Sequence, residues 1–204
     1  MLDTLDLEQV TREIAGELHR ASRPLIVYGW GVRLAGAIDE ARALATHLDV
    51  PVAVTWAVRD AFPEAIGAFG THGVRHANFA VQKADYILCV GSRLDTKATG
   101  SPASSFAPKA RLVMVDVDQA ELDKMAKIGR PLYRSIRADA REFLRMASMW
   151  AGNIASYQDD YGGGGDTDSG YVPPWKRQIK EWANRYQVIL PEYRKDQLNP
   201  YAIV

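Results

Sequence analysis

The chain has 204 residues, 47% of them hydrophobic, with 25 Lys and Arg against 25 Asp and Glu, for a formal net charge of 0 and a pI near 6.9. That balance argues against a nucleic-acid partner, which needs an excess of Lys and Arg on one face, and no apolar run approaches the roughly 20 residues that cross a bilayer. A single cysteine, Cys89, excludes an internal disulfide and a thiolate metal cluster.

Leu7, Val10, Ile14 and Leu18 recur at helical spacing and stop before Pro24, which a helix cannot pass. No charged, then apolar, leader opens the chain, so a cytoplasmic location is expected. Leu25-Ile26-Val27-Tyr28 is a first predicted strand, Ile38, Ala41, Ala45 and Leu48 mark a second helix, and Val50–Val54 is a second strand. A long structureless loop is expected before a shorter helix over Val74–Gln82. Tyr86–Val90 is a third strand, in which Cys89 behaves as a small buried hydrophobe. Arg111–Val115 is a fourth, followed by a helix over Gln119–Met125. Tyr133–Ile136 is a weaker fifth strand, and Ala140–Trp150 a closing helix. Strands apolar on both faces, alternating with amphipathic helices, predict a doubly wound α/β domain over residues 1–150, with a mainly parallel sheet and helices on both faces.

Residues 151–171 include Gly162–Gly170, which has no apolar residue to anchor it and is expected to be a flexible linker. In residues 172–204, Trp175, Ile179, Trp182 and Tyr186 mark one helical face that should pack onto a surface. The tail Leu198–Val204 ends on rising hydrophobicity, which suggests a piece of a longer chain leading into a further domain.

In open parallel sheets ligands bind beyond the carboxyl ends of the strands, so the loops there hold the candidate site. After the first strand, Gly29-Trp30-Gly31 is either a plain tight turn or a place where backbone approaches a phosphate. Thr55-Trp56 follows the second strand, and His72, between Thr71 and Gly73, reads as a structural or ligand contact. After the third strand, Gly91-Ser92-Arg93-Leu94-Asp95 offers Arg93 for a phosphate, or an Arg93–Asp95 surface ion pair. Asp116 ends the fourth strand, where a carboxylate can hold a ribose hydroxyl, and Val117 follows it. Asp118 with Glu121, and Asp139 with Glu142, match capping boxes. Together these suit an extended nucleotide such as FAD, with its ribose on Asp116 and its phosphates over Gly29–Gly31 and near Arg93. No paired catalytic carboxylates, nucleophile–base order or metal cluster emerges from the sequence.

Tyr28-Gly29-Trp30-Gly31, Val50–Thr55, Gly70-Thr71-His72-Gly73, Gly91–Asp95 and Val115-Asp116-Val117-Asp118 occur in the order of one known family. From about Pro24 to Leu144 the chain resembles the central domain of thiamine-diphosphate-dependent enzymes, most closely of the acetolactate synthase type, and more loosely beyond. The resemblance implies a deoxyhypusine synthase-like nucleotide-binding fold holding an FAD without net redox chemistry. It places that cofactor along Gly29, Trp30, Gly31, Thr55, Trp56, Thr71, His72, Gly73, Gly91, Arg93, Asp95, Asp116, Val117, Asp118 and Asp139.

Three positions depart from the family pattern: Trp30 replaces a glycine, Trp56 a smaller aliphatic residue, and Lys97 a common arginine. They leave ADP, another nucleotide or an empty site as alternatives to FAD. The resemblance further implies thiamine diphosphate and magnesium on amino- and carboxy-terminal domains of the same polypeptide, in a homodimer or homotetramer acting on a 2-oxo acid. The family's Gly-Asp-Gly does not occur here, so the chain alone is expected not to catalyse, with no catalytic or metal-binding residue of its own. Competing readings are a free-standing NAD- or FAD-binding module and a vestigial scaffold that binds no nucleotide.

Overall fold

A computed structural model describes residues 4–160 and 173–187. Helix α1 (Thr4–Arg20) leads into β1 (Pro24–Tyr28), α2 (Trp30–Leu34), α3 (Ile38–His47) and β2 (Val52–Val54). A 3-10 turn (Trp56–Ala61), β3 (Gly67–Ala68), α4 (Arg75–Lys83) and β4 (Tyr86–Val90) follow. Then come α5 (Thr96–Thr99), a second 3-10 turn (Ala103–Ser105), β5 (Arg111–Asp116), α6 (Gln119–Lys127), β6 (Arg134–Arg137), α7 (Ala140–Asp160) and α8 (Pro174–Arg185).

All six strands run parallel, in the spatial order β3-β2-β1-β4-β5-β6. The doubly wound fold expected from the sequence is therefore the one observed. Its physical cause is visible in β1 and β4, whose residues are buried on both faces. Ile26, Tyr28, Leu88 and Val90 pack on one side with Ile14, Leu44 and Phe143 of α1, α3 and α7. The alternate residues, Leu25, Val27, Ile87 and Cys89, pack on the other side with Ala80, Leu122 and Ile179 of α4, α6 and α8. A strand covered twice cannot alternate apolar with polar, so it reads as a continuous apolar run. The chain winds outward from β1 to β3, then returns to place β4 beside β1, pairing Tyr28 with Val90. The loops leaving β1 and β4 therefore part at the point where strand order reverses.

Two expectations change. The stretch after β2 is not structureless: it holds the first 3-10 turn and β3, whose Gly67-Ala68 has no apolar run to announce it. The closing helix does not stop at Trp150 but continues to Asp160, because Ala151 is fully buried and Ile154 packs on the core. Its last turns thus enter the stretch expected as linker. Helix α8 docks on this same domain: Trp175 Nε1 donates to the Pro24 carbonyl at 2.9 Å, and Trp182 and Tyr186 meet Phe79 of α4 edge-on at 5.7 and 5.3 Å. The glycine-rich stretch Gly162–Gly170 and the tail Leu198–Val204 lie outside the described residues.

Candidate functional site

A cleft of about 340 Å3 opens at the reversal point, beyond the carboxyl ends of β1, β2, β4 and β5. Its floor is the contact between two turns. The amide of Gly29 donates to the Val90 carbonyl, that of Gly31 to the Gly91 carbonyl, and that of Gly91 to the Val115 carbonyl, at 2.9–3.0 Å. These bonds extend the sheet past its strands and lock the turns together. A Cβ on Gly29 would lie 2.3 Å from the Gly91 carbonyl oxygen, so this glycine is required by chain packing whether or not a phosphate comes near.

One wall is formed by α2 and the first 3-10 turn. Trp30, Leu34 and Trp56 line it and remain largely exposed. The other wall is the segment from Arg93 to Ala98 with Phe69 and His72. Here Asp95 caps α5, accepting from the Ala98 amide at 3.1 Å. Arg93 does not pair with Asp95; its Nε donates to Glu121 at 3.0 Å, because the cap already holds the Asp95 carboxylate. Glu121 also receives the Lys124 ammonium, and these two cations hold its carboxyl below the usual carboxylate range. Glu121 is therefore no capping-box partner. Asp118 still caps α6, accepting from the Ala120 amide at 2.8 Å, but its own amide donates to Asp116 Oδ1 at 3.0 Å instead.

Asp116 lines the cleft with that bond on one oxygen; among the described residues no donor reaches the other. His72 also lines it, its Nδ1 3.1 Å from Thr71 Oγ1. Ten predicted residues meet at this cleft: Trp30, Gly31, Thr55, Trp56, His72, Gly91, Arg93, Asp95, Asp116 and Val117. Gly29 packs against Gly91 beneath its floor, and Thr71 and Gly73 flank His72 in the chain without lining the cleft. Asp118 and Asp139 do not line it. Asp139 caps α7, accepting from the Arg141 amide at 2.9 Å and the Glu142 amide at 3.2 Å. Sequence reasoning missed Leu34 and Phe69 as lining residues and read Glu121 only as a cap partner. For Glu121, its place one helical turn after the helix-capping Asp118 was the available signal.

Cys89 is fully buried, and burial pushes its thiol up to about 12, so it is no nucleophile. Among the described residues there is no grouping of His, Cys, Asp and Glu fit for a metal, and no helix long and apolar enough to cross a membrane. A wider groove, about 930 Å3, lies near the opposite ends of the strands between Arg23, Lys83, Lys109, Pro173 and Trp175. The cap on α6 is separable from the cleft: Asp118→Ala is expected to cost about 1 kcal/mol, or roughly 2–4 °C of Tm, in a thermal melt without ligand.

The family described as "Thiamine pyrophosphate enzyme, central domain" matches residues 11–146. The probable acetolactate synthase large subunit of Methanocaldococcus jannaschii is 33% identical over 138 residues, which are 66% of this chain and 22% of that protein. The acetolactate synthase large subunit of Corynebacterium glutamicum is 36% identical over 128 residues, 61% of this chain and 20% of its own length. Acetolactate synthase isozyme 2 large subunit of Escherichia coli is 28% identical over 188 residues, 86% of this chain and 33% of its own length. The chain thus spans between 20% and 33% of the length of these relatives.

Proposed function

Because this chain belongs to the thiamine pyrophosphate enzymes as their central domain, we propose that its cleft binds a nucleotide, FAD or ADP, within a longer acetolactate synthase-like enzyme. The observation that carries this reading is the placement of ten predicted residues around one cleft at the point where strand order reverses. The volume of about 340 Å3 lies at the small end of the range of ligand pockets, roughly 300–1,000 Å3. It accommodates part of a dinucleotide, with the rest extending over the open mouth.

The donor set fits such a ligand. Asp116 presents a carboxylate oxygen for a ribose hydroxyl, Arg93 and Lys97 present cations for phosphate, and Trp30 and Trp56 present faces for a ring. These residues bind and orient; none of them is a nucleophile paired with a base. The parent enzyme would hold thiamine diphosphate and magnesium on other domains of the same polypeptide, where that cofactor supplies the carbon nucleophile for decarboxylation or carboligation of 2-oxo acids. In that enzyme residues 1–150 would serve as the spacer carrying the nucleotide, and 172–204 would lead toward the next domain. A cytoplasmic homodimer or homotetramer is the assembly this reading favours.

Calorimetric titration of the full chain with FAD and with ADP tests it. Asp116→Ala is expected to weaken whichever ligand binds by roughly ten- to a hundred-fold, the loss of a hydrogen bond to a charged group, while the fold survives the loss of the bond from the Asp118 amide, worth about 1 kcal/mol. Absence of binding by either ligand at millimolar concentration would leave the scaffold reading in its place.

A further inference from the structure

At the end of the sheet opposite the nucleotide cleft, we propose a docking groove for an acidic peptide segment of another polypeptide, with carboxylates on either side of an apolar centre. The juxtaposition that carries this is a row of cations beside an apolar floor. Arg23 lies just ahead of β1, Lys83 ends α4 ahead of β4, and Lys109 lies just ahead of β5. Those strands are neighbours in the order β1-β4-β5. Adjacent strands are about 4.8 Å apart, so the backbones carrying the cations cross roughly 10 Å of one sheet end. All three side chains line the groove of about 930 Å3.

The apolar floor is Trp175 and Trp182 of α8, with Pro108, Pro173 and Pro174. The two indoles meet edge-on at 5.9 Å. Polar atoms around them are already used. Trp175 Nε1 donates to the Pro24 carbonyl, Gln82 Oε1 accepts from the Ala107 amide at 3.2 Å, and Arg23 Nε donates to the Lys83 carbonyl at 2.7 Å. No buried polar side-chain atom of the groove is left without a partner among the described residues. A small polar ligand is oriented by placed polar groups in its pocket, and this floor offers none. What remains is apolar surface bordered by positive charge, which an apolar side chain flanked by carboxylates completes.

The charge is one-sided. No lining residue is acidic, and Lys83 and Lys109 have no carboxylate within ion-pair distance among the described residues. Arg33, Arg42, Arg134 and Arg141, by contrast, each find one. Asp85, close by, is turned to the backbone, its Oδ1 accepting from the Arg23 amide at 2.9 Å. Lys83 suits the carboxyl end of α4 in any case, whereas neither a helix end nor an ion pair accounts for Lys109. The turn that carries Lys109 is held by Gln82 on the Ala107 amide and by Arg130 on the carbonyls of Ala107 and Ala110. A groove fixed before binding loses less entropy to its partner. The chain's formal net charge of 0 disfavours nucleic acid as that partner.

Fluorescence anisotropy of a labelled peptide, Glu-Glu-Leu-Phe-Leu-Glu-Glu, titrated with the full chain tests the proposal. Serines in place of Leu-Phe-Leu are expected to weaken binding by roughly tenfold or more, the loss of buried apolar side chains. Lys109→Glu and Lys83→Glu are each expected to weaken it by roughly fivefold or more. Arg59→Glu makes the same charge change in the 3-10 turn beside the nucleotide cleft and should leave binding unchanged. Lys83, Lys109 and Arg59 are exposed, so all three variants should melt like the parent chain. Equal losses in the Arg59 and Lys109 variants, equal binding of a peptide with lysines for glutamates, or no binding at millimolar concentration overturns the proposal. Tighter binding of oligothymidylate, or of phosphatidylserine–phosphatidylcholine vesicles, overturns it in favour of a nucleic acid or a membrane. Self-association in sedimentation velocity that Lys109→Glu abolishes overturns it in favour of an interface between copies of this chain. None of these results bears on the nucleotide reading, which the FAD and ADP titrations decide separately.

Discussion

Gly91→Ala is expected to destabilise the chain by about 3 kcal/mol or more, lowering Tm by roughly 6–12 °C at 2–4 °C per kcal/mol. Gly91 has φ +62°, and a Cβ built on it lies 2.7 Å from the Val32 amide nitrogen and 2.8 Å from Gly31 Cα. Both neighbours are backbone, so no side chain can turn aside. The turn after β1 would have to lift away from β4, breaking the Gly31 amide bond to the Gly91 carbonyl. Gly36 supplies the control, because its φ is +63° yet nothing lies within 4 Å of its built Cβ. Gly36→Ala therefore carries backbone strain without collision, and about 1–2 kcal/mol is expected. Equal losses in the two variants would mean that the turns are not pressed together as described. Where the Gly91 variant stays folded, its ADP affinity should fall too, since the displaced turn is the floor of the cleft.

The elements with the deepest burial were the ones most legible in the sequence. Leu25–Tyr28 and Tyr86–Val90 are apolar on both sides because helices cover both sides of the strands they form. Periodicity therefore carried their physics directly. It could not carry β3, a two-residue strand of Gly67-Ala68 held by pairing with Ala53 and Val54. Nor could it place the end of α7, where Ala151 and Ile154 keep contact with the core after the expected boundary. At the site, strand-end position brought most of the predicted residues together, yet the partners of the charged groups were not readable. Asp95 lies two positions from Arg93 in sequence but caps α5, and Glu121, on the helix after the next strand, takes the guanidinium. Which carboxylate an arginine finds depends on which carboxylates backbone amides have already claimed, and that is decided by three-dimensional packing.

The chain's arginines show the same distinction in their energetics. Arg93 is 76% exposed along its side chain, so its pair with Glu121 is screened, and Arg93→Ala is expected to change stability by less than about 1 kcal/mol. Arg130 is the opposite case, only 8% exposed and with no carboxylate in ion-pair range among the described residues. Its Nε donates to the Phe106 carbonyl at 2.8 Å, and its Nη2 to the carbonyls of Ala107 and Ala110 at 2.9 Å. One guanidinium thus closes the turn before β5 and holds it against the end of α6. Burial lowers its pKa, but a guanidinium remains charged even so. Arg130→Met keeps the bulk of the stem and strands those carbonyls, each costing about 1–3 kcal/mol where water cannot reach. A total of about 3 kcal/mol or more is expected, with Arg130→Lys losing less because an ammonium can still serve part of the set. The consequence should reach the cleft, because Phe106 packs on Phe69, a residue that lines it, at 6.2 Å. A Met variant that melts within about 2 °C of the parent, less than 1 kcal/mol at this size, would show that the clamp contributes nothing to stability.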